Sequence, residues 1–128
     1  MRLLLDTHTF LWCLIDDPAL SQTVREGVED GANEVLVSGA SVWEISIKYG
    51  LGKLPLPDAP DRYLPAKRQA AGFDFLPIEE PEACLVHALP PHHRDPFDRI
   101  LVAQANCYGL VIATNDPLIQ RYPVRTIW

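Results

Sequence analysis

Short apolar segments alternate with longer helical segments along the whole chain. The apolar runs are three to five residues long and end at acidic, proline or polar positions, which is typical of buried strands. The predicted strands lie at 2–6, 35–38, 73–77, 110–114 and 124–127. The predicted helices lie at 7–15, 21–30, 41–49, about 61–71, 80–89 and 97–108, with a single helical turn at 117–120. Strands that alternate with helices predict an α/β domain, a three-layer α/β/α sandwich with a mostly parallel central sheet.

Acidic residues follow these strands or lie in the helices that come next. The four in question are Asp6, Glu44, Asp98 and Asp116. The carboxyl ends of parallel strands meet at one edge of a sheet, where α/β folds build ligand sites, so we expect these side chains to converge there. Four carboxylates would repel one another unless a cation neutralised them, and their hard oxygen atoms suit Mg²⁺ or Mn²⁺. The pattern predicts a metal-dependent site for phosphoryl transfer.

Three of these acids also have purely structural explanations. Asp6 precedes a predicted helix and could be its N-cap, while Asn115-Asp116-Pro117 could be a turn. Asp98 lies in a first helical turn, where a carboxylate favours the helix dipole. The functional interpretation therefore rests on the conjunction of the acids and not on any single one.

Glu44 has the strongest structural alternative. Ser41-x-x-Glu44 matches a capping box, and Lys48 follows Glu44 by one helical turn, as in a helical ion pair. Ser41, Glu44 and Lys48 form a narrow polar stripe on this helix, with an apolar stripe on each side. One apolar stripe is Val42, Ile45 and Tyr49, and the other is Trp43 and Ile47. If both apolar stripes are covered, Glu44 lies close to other protein and is not freely solvated.

Length and composition limit the possible classes of protein. The 128 residues predict one domain spanning 1–128, and no apolar run reaches the ~18 residues of a membrane span. A net charge of −6 argues against a broad electrostatic grip on nucleic acid and fits a basic partner. The cysteines, at Cys13, Cys84 and Cys107, lack metal or disulfide spacing and predict reduced core residues of a cytoplasmic protein.

Other reaction classes find less support. His8, His92 and His93 form no HxxxH or HExxH pattern, which argues against zinc. The serines lack a GxSxG context, so a serine hydrolase is not expected. A haloacid-dehalogenase-like phosphatase would need an acid at position 8, and a receiver domain would need paired acids after the first strand.

Four segments together resemble the PIN-domain family, and in particular the small VapC-type toxins of bacterial toxin–antitoxin pairs. They are Leu3-Leu4-Leu5-Asp6-Thr7, Ser41-Val42-Trp43-Glu44-Ile45, the run from Asp98 to Ala105, and Thr114-Asn115-Asp116. The phrases from Leu5 to Trp12 and from His93 to Arg99 resemble one subgroup of that family. The resemblance implies an α/β/α sandwich that cleaves RNA with Mg²⁺ or Mn²⁺.

The resemblance also assigns roles to individual residues. It implies that Asp6, Asp98 and Asp116 are metal ligands, and that Glu44 is a ligand directly or through water. Thr114 would orient Asp116 or a water, while Asp95 would bind metal or orient a neighbouring arginine. The basic residues expected to contact phosphate are Lys48, Arg94 and Arg99.

Partners follow from the same resemblance. It implies an antitoxin that masks the site and a homodimer built partly from the helical layer. The helices at 7–15 and 41–49 carry more apolar residues than one core-facing side requires, which fits a dimer. These residues are Phe10, Trp12, Trp43 and Ile47. The alternative functions are a non-catalytic RNA- or protein-binding module on the same scaffold and a magnesium-dependent phosphatase-like hydrolase.

Overall fold

A five-stranded parallel sheet forms the centre of the molecule. The computed structural model describes residues 1–128. Its strands are β1 (Arg2–Leu5), β2 (Glu34–Ser38), β3 (Asp74–Leu76), β4 (Val111–Ala113) and β5 (Thr126–Ile127). They lie in the order β3-β2-β1-β4-β5, and every neighbouring pair is parallel. The predicted parallel sheet is confirmed.

Six α-helices connect and cover these strands. They are α1 (Thr7–Ile15), α2 (Gln22–Glu29), α3 (Gly39–Gly50), α4 (Pro60–Ala70), α5 (Glu80–Leu85) and α6 (Pro96–Tyr108). Short 3₁₀ turns at Val86–Ala88 and Ile119–Arg121 complete the chain. None of the helices has the length and apolar character needed to cross a membrane.

The alternation of side chains in β1 divides the core into two layers. Leu3 and Leu5 point to one face of the sheet and pack against apolar residues of α1, α2, α3 and α4, while Leu4 points to the other face and packs against α6. All three leucines are fully buried. The three-layer α/β/α architecture predicted from the sequence is therefore confirmed.

Local capping explains where the helices at the carboxyl edge begin. Asp6 directly follows β1 and caps α1, since its carboxylate accepts a hydrogen bond from the Thr9 N–H at 2.8 Å. Asp95 caps α6, whose first residue is Pro96, a residue well suited to that position. The same sequence features that start these helices also fix acidic side chains at the edge of the sheet.

The start of α3 corrects one expectation. The helix begins at Gly39, and Ser38 is its N-cap, with its hydroxyl accepting from the Ala40 N–H at 3.0 Å. Ser41 is already inside the helix and fully buried, so the predicted capping box of Ser41 and Glu44 is wrong. Of the two structural explanations that the spacing of Glu44 suggested, only the helical ion pair with Lys48 is present.

Exposed apolar side chains correct a second expectation. Trp43 and Ile47 are 59% and 40% exposed, so their stripe on α3 is not covered within this chain. Phe10, by contrast, is fully buried, and Trp12 is half-buried against Trp128. Cys84 is exposed and does not belong to the core, although all three cysteines are free as predicted.

Candidate active site

The topology brings three of the four acidic segments to the same edge of the sheet. β1 and β2 are paired, and so are β1 and β4, so residues that follow these strands emerge side by side. The Asp6 N–H continues the ladder by donating to the Ala113 carbonyl at 3.2 Å. α6 precedes the parallel strand β4, so its N-terminal turn with Asp98 returns to that edge.

Asp6 and Asp116 are joined through one hydroxyl. The Thr114 hydroxyl donates to Oδ2 of Asp6 and accepts from the Asp116 N–H at 3.0 Å. Thr114 is fully buried, and Asp6 is almost fully buried. Oδ1 of Asp116 accepts from the Leu118 N–H at 2.8 Å, which fixes the turn after β4. Both carboxylates are thus held by their immediate surroundings.

Glu44 is a buried carboxylate with partners on two helices. Its Oε1 lies 2.7 Å from the hydroxyl of Thr7, which in turn lies 3.0 Å from the hydroxyl of Ser41. Thr7 has one proton and the carboxylate is the stronger acceptor, so Thr7 donates to Glu44 and accepts from Ser41. Oε2 accepts from Nζ of Lys48 at 2.6 Å, and this hydrogen bond raises the pKa of Lys48.

The carboxyl of Asp98 has a raised pKa, partly because other acids lie near it. Burial raises the pKa of its carboxyl to about 8, and the negative charges of its neighbours add to the shift, from Asp95, Asp116, Glu44 and Asp6. Acids that were far apart would not perturb one another in this way. The negative charges of the other three predicted acids, and that of Asp95, therefore act on the carboxyl of Asp98.

Comparison with known proteins agrees with this arrangement. A sequence model of the PIN domain matches residues 3–124, which is nearly the whole chain. The chain belongs to the PIN-domain family.

One curated relative and two solved structures illustrate the similarity. Ribonuclease VapC16 of Mycobacterium tuberculosis is 38% identical over 76 residues, which are 59% of this chain and 48% of that protein. The chain therefore spans about half the length of this relative. The structure of VapBC2 from Rickettsia felis bound to a promoter DNA fragment superposes with a TM-score of 0.72 at 13% identity, covering 99% of this chain and 98% of that chain.

The second structure shows the same fold. The DNA-bound VapBC structure from Salmonella typhimurium has a TM-score of 0.70 at 21% identity, covering 99% of this chain and 97% of that chain. At such identities these likenesses establish the architecture of the PIN domain, and the chemistry must be argued from its own side chains.

Asp95 uses its side chain to begin α6. Its Oδ1 accepts from the Phe97 N–H at 2.9 Å and from the Asp98 N–H at 3.2 Å. No arginine side chain pairs with it, so it does not orient Arg94 or Arg99. Its contribution to this PIN domain is to fix the backbone of Asp98 and to add negative charge beside that carboxyl.

The basic residues predicted to contact phosphate fall into two groups. Lys48 is partly exposed beside Glu44, and Arg94 is exposed and forms no ion pair. Arg99 instead supports the loop before α6, donating to the carbonyls of Val86 and Pro90 at 3.1 and 2.8 Å. Both of its terminal nitrogens are engaged in this way, which argues against a phosphate contact of Arg99.

Two residues at the site were not predicted from the sequence. His93 lies with Nε2 3.2 Å from Oδ2 of Asp98, and Tyr122 lies with its hydroxyl 2.8 Å from Nδ1 of His93. Thr7, which donates to Glu44, was likewise noted only as the start of a helix. The available signals for His93 were the unusual density of reactive side chains in 92–95 and the family-like phrase from His93 to Arg99.

The donor set has the chemistry that a hard divalent cation requires. Carboxylate oxygens are the preferred ligands of Mg²⁺ and Mn²⁺, and the mutual repulsion expressed in the raised pKa of Asp98 is what such an ion would relieve. No three acidic, histidine or cysteine side chains are already arranged as a complete ligand set. The side chains at this edge would therefore have to turn towards an ion as it binds.

Proposed function

We propose that this PIN domain is a metal-dependent endoribonuclease that acts as the toxin of a toxin–antitoxin pair and hydrolyses RNA phosphodiester bonds. The observation that carries the proposal is that Asp6, Glu44 and Asp116 follow neighbouring strands at the carboxyl edge of the sheet, where burial and nearby negative charge raise the pKa of Asp98. The similarity to Ribonuclease VapC16 supports the choice of RNA as the substrate. A cluster of like charges costs stability, and a catalytic use would account for its presence.

Asp6, Asp98 and Asp116 would hold Mg²⁺ or Mn²⁺, with Glu44 as a direct or water-mediated ligand. A divalent ion there supplies positive charge for the scissile phosphate and activates water for attack. Thr114 holds Asp6 and the backbone of Asp116 in fixed relative positions. Thr7 holds Glu44 through a hydrogen bond of the same kind.

Two basic residues could contact the RNA backbone. Nζ of Lys48 is already within the field of Asp95 and Asp98 and would lie beside a phosphate bound at the acids. Arg94 is exposed in the turn before α6 and has no competing carboxylate partner. These contacts would be few, which fits a chain of net charge −6 that has no broad basic face.

The direct test is cleavage of an end-labelled structured RNA by the purified chain, free of antitoxin. We expect cutting with Mn²⁺ or Mg²⁺, none with chelator, and none by the Asp98→Asn variant, which keeps the shape and the acceptor for His93. Asp61→Asn is a matched control, because Asp61 is an exposed acid on α4 that is not among the charges acting on Asp98. Metal binding without cleavage of any RNA would favour the binding-module alternative.

We infer further that the protein works in the cytoplasm and is masked by an antitoxin protein. The similar structures from Rickettsia felis and Salmonella typhimurium are of VapBC proteins, and a net charge of −6 suits a basic partner. Induction of the chain alone in a bacterial host should arrest growth, whereas Asp98→Asn should not. Equal growth of the two strains at equal protein levels would contradict the assignment as a toxin.

A further inference from the structure

A continuous series of hydrogen bonds runs from the far core layer to Asp98. Arg99 lies 2.9 Å from the hydroxyl of Tyr122, that hydroxyl lies 2.8 Å from Nδ1 of His93, and Nε2 of His93 lies 3.2 Å from Oδ2 of Asp98. None of these bonds is part of the helix or sheet backbone. Together they link an acid of the site to a residue 24 positions later in the chain.

The chemistry of the groups gives this series a direction. A guanidinium has only donors, so the Tyr122 oxygen accepts from Arg99. The single phenolic proton of Tyr122 is then free to be donated to Nδ1 of His93. A neutral imidazole that accepts at Nδ1 carries its proton on Nε2, and that N–H points at the Asp98 carboxylate.

The surroundings hold the imidazole rigidly. Tyr122 is buried in the core layer that contains α6, and its ring packs against the rings of His92 and His93. The His93 side chain is only 11% exposed and that of Asp98 only 15%. A buried, doubly hydrogen-bonded ring has little freedom, so it can fix the orientation of the carboxylate that it contacts.

We propose that His93 is a positioning residue for the metal site: its Nε2–H binds Oδ2 of Asp98 and leaves Oδ1 directed to the cation. Oδ1 receives no hydrogen bond within the chain, whereas Oδ2 has this one. Tyr122 and Arg99 act through His93 by setting its tautomer. This inference rests on the proposed function, because it assumes that Asp98 is a metal ligand.

The test measures Mn²⁺ affinity by electron paramagnetic resonance in matched variants. His93→Leu should weaken Mn²⁺ binding by about 10- to 100-fold, the range seen when a residue that orients a metal ligand is removed. His93→Gln should restore most of the affinity, because the glutamine amide reaches the position of Nε2 and still donates. Tyr122→Phe should fall between the wild type and His93→Leu.

Controls separate positioning from folding. His92→Leu removes a neighbouring imidazole that forms no hydrogen bond to an acid, and it should bind Mn²⁺ like the wild type. Thermal unfolding of each variant checks that it is folded. Unchanged affinity in folded His93→Leu would overturn the inference, and so would an equal loss in His93→Leu and His93→Gln, since packing alone would then explain the effect.

A second measurement distinguishes failure of the inference from failure of the proposed function. The ¹⁵N shifts of the His93 ring in the metal-free protein, recorded at about pH 9 where Asp98 is ionised, should show the proton on Nε2. That tautomer combined with no Mn²⁺ binding by the wild type would refute the proposed metal site and this inference with it. Mn²⁺ binding by a wild type that carries the proton on Nδ1 would refute the inference alone.

Discussion

Each acid of the site has hydrogen-bond partners within the chain. Asp6 accepts from the Thr9 N–H and from the Thr114 hydroxyl, and Glu44 accepts from Thr7 and Lys48. Asp98 has fewer partners, and burial together with the neighbouring negative charges raises the pKa of its carboxyl. Single substitutions at Asp98 and Thr114 should therefore change the free energy of unfolding.

The first prediction is a pH dependence of stability in the metal-free protein. The pKa of Asp98 is raised from 3.8 to about 8, so between these values the folded chain keeps a proton that the unfolded chain has released. The stabilisation is complete below the unfolded pKa and is lost as pH rises through the folded pKa. The free energy of unfolding should therefore fall from about pH 4 to pH 8 through this group.

Asp98→Asn removes that titration while keeping the shape of the side chain. Urea unfolding in chelator, from pH 5 to pH 9, should show the variant gaining stability relative to the wild type as the pH rises. Parallel profiles for the two proteins would show that charge repulsion at Asp98 does not act on stability.

The second prediction concerns Thr114, which serves two acids with one hydroxyl. Thr114→Val leaves the Asp116 N–H and a buried oxygen of Asp6 without a partner, at a cost of about 1–3 kcal/mol in the free energy of unfolding. Thr114→Ser keeps the hydroxyl and should lose clearly less. Denaturant titration of both variants decides this, and an equal loss would mean that the hydroxyl contributes no more to stability than the methyl group that serine lacks.

At the scale of elements, the sequence was informative where a cap and an apolar run coincide. α1 was predicted with its observed bounds, Thr7–Ile15, because Asp6 precedes an apolar run. α3 begins before its predicted start because the small residues Gly39 and Ala40 carry no periodic signal. The strands at 110–114 and 124–127 are shorter than predicted, since apolar character continues beyond the hydrogen-bonded ladder.

The third prediction belongs to the start of α6. Asp95→Ala removes the acceptor for two backbone N–H groups and should lower the free energy of unfolding by about 1 kcal/mol. Asp95→Asn keeps the cap and removes the charge, so it should be nearly as stable as the wild type. Chemical unfolding compares the two, and equal destabilisation by both would mean that the charge of Asp95 matters more than its capping bond.

At the scale of the whole molecule, the parallel sheet and its two covering layers followed from the alternation of strands and helices. The links that cross between layers did not, because a bond between His93 and Tyr122 joins residues 29 positions apart and leaves no periodic pattern. The contacts of Arg99 were not predicted for the same reason, since its carbonyl partners lie in a short 3₁₀ turn at Val86 and in the loop at Pro90. The sequence thus predicts which acids follow the strands, but not the hydrogen-bond partners that hold these side chains.

The fourth prediction is self-association through the exposed face of α3. Trp43 is 59% exposed and packs edge-on against Phe97, beside the first turn of α6. We expect the chain to sediment as a homodimer and Trp43→Gln to shift it towards the monomer, because an aromatic anchor is lost. Ile15→Gln, at a 61% exposed residue of α1, is the matched control. Sedimentation of the wild type as a monomer at high concentration would refute the dimer.

The central claim is that the acids at the carboxyl edge act together on one divalent cation. The most direct measurement is calorimetric titration of Mn²⁺ into the wild type and into Asp98→Asn, Asp116→Asn and Asp61→Asn. The account predicts binding in the wild type and in Asp61→Asn, and at least tenfold weaker binding in the two site variants. Equal affinity in all four proteins, each shown to be folded, would contradict it.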